Sequence, residues 1–167
     1  MRKVMLAAIG MLMTATPALA SWDFKVIDGP LGKKVGVATL PGDHGEIVVR
    51  CDTTGQNSLF LSVHPRDVGE GLEPDFMRAM TYRIDDGPAR TVNAIYDADE
   101  ITIVNLVRGL MGGNLLFSML ASKTLSLEIV DKSKKSHSVL FHTDGAQVAI
   151  MQAAKACGDT NWISLTR

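Results

Sequence analysis

Cysteine is scarce in this chain. Only Cys51 and Cys157 occur in 167 residues, and no C-x-x-C spacing exists. That excludes the common dithiol redox motif and the zinc-type cysteine spacings. The short signatures of several enzyme classes are missing as well. The sequence has no H-E-x-x-H, no G-x-S-x-G, no phosphate loop of the G-x-x-x-x-G-K-[ST] kind and no G-x-G-x-x-G. Zincin, ordinary serine-hydrolase, nucleotide-triphosphate and dinucleotide chemistry therefore find no anchor. Internal repeats and low-complexity tracts are absent too, so solenoids and fibrous arrays are out.

What is present starts with the leader MRKVMLAAIGMLMTATPALA. Arg2 and Lys3 precede an apolar run from Met5 to Met13, and Ala18-Leu19-Ala20 has the small-x-small form of a signal-peptidase site. This reads as a secretory signal peptide over residues 1–20, cleaved near Ala20-Ser21. The run is shorter than the ~20 residues that span a bilayer. Ser21, not cysteine, follows the cleavage point, so the usual lipid attachment is not expected. The expected localisation is periplasmic or secreted, with residues 21–167 forming one domain.

Removing the leader takes two of the 17 basic residues and leaves 15 against 18 acidic ones. A slightly acidic chain gives no reason to expect nucleic acid or an anionic membrane as partner. With 46% hydrophobic and 21% charged residues the composition is globular. In an oxidising compartment an even pair of cysteines predicts a Cys51–Cys157 disulfide. Closing a loop between positions 106 apart is worth about 4–5 kcal/mol in the chain-entropy picture.

The mature part reads as short strands broken by turns. Trp22, Phe24 and Val26 alternate with Asp23 and Lys25. Runs follow over 34–40, 46–52 and 58–64, the last with Leu59, Leu61 and Val63 on one face. Residues 65–74 form a polar loop carrying Arg66 and Asp67, a candidate binding loop. Strands over 77–84 and 89–96 flank Asp86-Gly87, a hairpin signal, and Pro88 marks an irregular or edge start. Residues 101–121 are apolar throughout, but Arg108, two asparagines and Gly112-Gly113 argue against a membrane span. A short strand or helical piece followed by a helix over 114–122 fits better. Its face of Leu116, Met119 and Leu120 belongs either to the core or to a partner groove.

Two strands over 123–131 and 136–142 make a second hairpin. A last helix follows, with Asp144 as its expected cap, Cys157 on an apolar face and Gly158 as its stop. The expected fold is mainly β or α+β. Its body is an antiparallel β-sandwich-like arrangement with one or two packed helices, the last at the C-terminus.

Candidate chemistry is thin. His137 and His142 lie five apart on one strand and would face opposite sides; His44 and His64 sit in or beside turns. No metal or cofactor is expected. The stretch YRIDDGPA (82–89) holds Asp85 and Asp86, which as neighbours on a strand make a poor catalytic pair. Asp97, Asp99 and Glu100 fall in the next turn. An envelope hydrolase acting on peptidoglycan through Asp85 or Glu100 is the enzymatic alternative.

Several pieces together carry a resemblance. They are VVRCD (48–52), YRIDDGPA (82–89), an apolar segment leading into KTLSLEI (123–129), and AIMQAAKACG (149–158). The chain resembles the VasI-like proteins, periplasmic accessory proteins associated with type VI secretion, with looser relatives among bacterial and phage-borne periplasmic proteins. The likeness runs from about Glu46 to Gly158, and YRIDDGP is its most specific part. It implies a non-enzymatic envelope protein with a β-sandwich-like body, a structural Cys51–Cys157 bridge and no catalytic residues. The partner would be another cell-envelope protein, possession of an immunity or inhibitor role being a variant of the same reading. Arg66, Asp67, Arg83, Asp85 and Pro88 are the candidate contact residues.

Overall fold

The computed structural model describes residues 21–29, 32–51, 59–103 and 113–158; at Cys51 only the backbone is described. Residues 1–20, where a leader peptide is expected, lie outside these. The elements are β1 (Asp23–Asp28), β2 (Lys34–Gly42), β3 (Gly45–Cys51), β4 (Leu59–Pro65), β5 (Asp75–Ile84), β6 (Arg90–Tyr96), β7 (Ile101–Ile103), α1 (Gly113–Leu120), β8 (Thr124–Val130), β9 (Ser136–His142) and α2 (Ala146–Cys157). The body is mostly antiparallel sheet, with two helices, the last at the C-terminal end.

The strands form one continuous sheet in the order β1-β2-β3-β4-β7-β6-β5-β8-β9. Alternation produces its inner face. Ile47 and Val49 of β3, Leu61 and Val63 of β4, Val92, Ala94 and Tyr96 of β6, and Leu125, Leu127 and Ile129 of β8 are all buried. The sheet curls until its far strand reaches its beginning. A Cβ placed on Gly42 of β2 would stand 2.7 Å from Cδ1 of Phe141 in β9. One curled sheet thus supplies both walls of the core. Each leucine, isoleucine or phenylalanine fully buried between them contributes about 1.5–3 kcal/mol.

The helices join the same core. Leu115, Leu116 and Met119 of α1 are fully buried, so this face packs inward. In α2 the buried set is Ala146, Ala149, Ile150, Ala153 and Ala154. Small side chains let the helix sit close to β2, where a Cβ on Gly36 would lie 2.8 Å from Ala153 Cα. Asp144 does not cap this helix. The N-cap is Gly145, in the left-handed region with no side-chain cap bond. Gly158 ends the helix as expected, its N–H reaching the carbonyls of Ala154 and Lys155. Among the described residues no helix is long and apolar enough to cross a membrane.

Candidate functional site

β5 separates the sequence candidates into two groups. Arg66 and Asp67 lie in the loop before it and Arg83, Asp85 and Pro88 at its far end. Its ten residues span about 30 Å at 3.3 Å per residue. The five therefore form no single surface. Glu100 precedes β7, whose Ile101 pairs with Tyr96 opposite Asp75, so it sits at the loop end. Asp85 and Glu100 are thus far beyond the ~5–10 Å that a pair of glycosidase carboxylates requires.

At the far end, Asp85 is fixed by backbone. Its carboxylate accepts the N–H groups of Lys123 at 2.9 Å and Thr124 at 2.8 Å, and its own N–H donates to Thr124 O at 3.0 Å. These bonds, Thr124's first, hold the carboxyl below the usual aspartate range. The residue stitches the β5–β6 turn to the start of β8. The positive φ of this turn falls on Asp85, at 48°, and not on Gly87. Gly87 is required for a different reason. Its N–H donates to Ile84 O at 2.9 Å, and a Cβ there would come within 2.8 Å of that oxygen. Tyr82 is buried and Ile84 packs on the core, while Arg83 and Pro88 are exposed. β6 starts only at Arg90, after the proline.

At the near end, loop 66–74 is clamped down. Val68 and Leu72 are buried in the core. Lys132 N–H donates to Gly71 O at 3.0 Å, and Lys134 pairs with Glu73. That pairing holds the Glu73 carboxyl below its usual range. Arg66 pairs with Glu46 at 3.6 Å, and its N–H donates to His44 O. Arg50 likewise pairs with Glu100 at 3.1 Å.

Beneath the loop lies a cluster the sequence reading passed over. Asp131 is buried and accepts three bonds: Ser133 Oγ at 2.6 Å, His137 Nε2 at 2.8 Å and Lys135 N at 3.0 Å. The serine hydroxyl, the histidine and the backbone amide together hold this carboxyl well below the carboxylate range. Gly69 lies directly on the pair: a Cβ there would meet Asp131 Oδ2 at 2.3 Å and His137 Nε2 at 3.1 Å. The signal was an aspartate and a histidine flanking a tight hairpin, where the register sets Ile129 opposite His137. The arrangement is not a nucleophile triad, because Ser133 bonds the carboxylate and not the imidazole. His142 is exposed on the opposite face from His137, as its spacing requires. Among the described residues no group of histidine, cysteine and acidic side chains could hold a metal.

Among the described residues the most exposed large apolar side chain is Phe76, ahead of Val148 in α2. β5 bulges between Asp75, opposite Tyr96, and Arg78, opposite Ala94. The extra residue throws the intervening pair outward: Phe76 is 79% exposed and Met77 48%. Arg78 turns back over the buried Tyr96 ring, 5.1 Å from its centre. Burial raises the Tyr96 phenol above its ordinary value, and Arg78 opposes that rise.

Comparison with protein-family models, curated proteins and solved structures returned no match.

Proposed function

We propose that this chain is a non-enzymatic protein of the cell envelope that works by contact with another envelope protein. Phe76 carries the reading. A phenylalanine almost wholly in water, beside an exposed methionine on a rigid strand, is the kind of side chain that anchors interfaces. The polar groups that suggest chemistry in the sequence support it indirectly. Asp85, Asp131 and Glu100 each hold structure together through bonds within the chain. The expected leader peptide and the pair of cysteines support a site of action outside the cytoplasm, and the VasI-like resemblance makes a type VI secretion apparatus the setting to try first.

Pull-downs from envelope extracts test the reading. The parent chain should retain a defined partner that Phe76→Ala loses while keeping its circular dichroism. Equal retention by both removes Phe76 as the contact. A deletion strain that still secretes through its type VI apparatus at the parental level removes that setting. Turnover of purified cell wall that vanishes with Asp85→Asn would establish the hydrolase alternative instead.

A further inference from the structure

The surroundings of Phe76 narrow the chemistry of what it meets. The Asp75–Tyr96 register sets Asp75 beside the turn that follows β6, and that turn carries Asp97 and Asp99. All three acids are exposed. Among the described residues none has an ion-pair partner; Asp75 accepts only the N–H of Met77 and Asp97 only that of Ala98. The cations nearby have contacts of their own, and Arg78, over the neutral Tyr96 ring, keeps its charge. Arg78 stacks on Tyr96, Arg50 holds Glu100, and Lys134, with Lys132 behind it, faces Glu73. Across the ladder Ile95 lies half-buried opposite the bulge and extends the apolar surface. An apolar knob thus stands beside a turn whose Asp97 and Asp99 have no ion-pair partner among the described residues, with Asp75 at its base on the Tyr96 side.

Resting on the recognition reading above, we infer that the bulge receives a partner segment in which an aliphatic or aromatic side chain is flanked by lysine or arginine. The apolar residue covers Phe76 and Met77, and the flanking cations reach Asp75, Asp97 and Asp99. An acidic segment would set like charges together and be rejected. Added salt should weaken the contact, since the rim is open to water.

The test uses two capped peptides, each with one phenylalanine between charged pairs. One carries lysines, the other glutamates at the same positions. Each is titrated to millimolar concentration into the mature, oxidised chain while amide resonances are followed. The lysine peptide should shift the amides of Asp75–Ala79 and Asp97–Glu100 and bind at least about tenfold more tightly than the glutamate peptide. Phe76→Ala should remove those shifts, and the double variant Asp97→Lys, Asp99→Lys should reverse the preference. No shifts at these amides, or equal binding of both peptides, overturns the inference. Pull-downs separate the two levels. Partners lost with Phe76→Ala but no lysine preference leave the recognition reading standing and sink the charge complementarity. Partners retained by Phe76→Ala sink both.

Discussion

Replacing Gly36 with alanine should destabilise this protein through a clash with helix backbone. The new Cβ would lie 2.8 Å from both Cα and O of Ala153 and 2.9 Å from Cβ of Ala156. That is about 0.6 Å short of ordinary contact at 3.4 Å. Two of the three obstacles are helix backbone, so no rotamer change relieves them. Either α2 lifts from β2 or the strand bends. Overpacking of this kind costs about 1–3 kcal/mol, and a shift that also loosens Ala149, Ile150 and Ala153 falls at about 3. For a domain of this size each kcal/mol moves the melting point by roughly 2–4 °C. The expected fall is therefore about 6–12 °C in differential scanning calorimetry, with faster amide exchange along α2. Gly158→Ala, where nothing lies within 4 Å of the added atom, should cost only about 1 kcal/mol through its left-handed backbone. If Gly36→Ala melts within about 2 °C of the parent, the close seat of α2 on β2 is wrong.

The remaining predictions concern the polar anchors and the cysteines. Asp131 is held below its unfolded pKa, so its contribution is present above the ordinary carboxylate range and is lost progressively as the pH falls from that range toward the lowered folded value; melting points from pH 7 to pH 2 should drop more steeply for the parent than for Asp131→Asn, which starts lower. Asp85→Ala should speed exchange at the Lys123 and Thr124 amides, whereas Asp85→Asn, which keeps an acceptor and tolerates the backbone, should stay close to the parent. Non-reducing peptide mapping should find Cys51 and Cys157 in one linked pair. Reducing that bridge should cost about 2–4 kcal/mol in denaturant titrations, and an unlinked thiol on either peptide counts against it.

Much of the fold was legible because strands announce themselves by alternation. KTLSLEI buries every second residue and β4 buries Leu59, Leu61 and Val63, with Ser62 buried between them, so the pattern places β8 and β4 within a residue or two. The glycine stop of α2 was legible for a similar reason, since the motif is local. The Asp144 cap failed because Gly145 supplies the left-handed entry and leaves no side-chain acceptor aligned. Sequence makes Asp85 a candidate contact residue and hides its structural bonds, because its partners, Lys123 and Thr124, lie 38 and 39 positions away. The loop over 65–74 suggests a binding loop for the same reason: polar composition hides Val68 and Leu72, which are buried in the core, and distant Asp131 and Lys132, which meet Gly69 and Gly71.

The expected leader peptide is a matter of sequence alone, as are the strand faces and the missing short enzyme signatures, because each rests on neighbours along the chain. Tertiary structure decided what depends on distant residues meeting. It curled one sheet so that β9 reaches β2, separated Arg66 from Asp85 by the length of β5, and joined Asp131 to Gly69. It also turned Phe76 outward. In the sequence Phe76 has the parity of Met80 and Tyr82, both of which are buried. Only the bulge, an extra residue against β6, reverses that parity and leaves an aromatic ring in water.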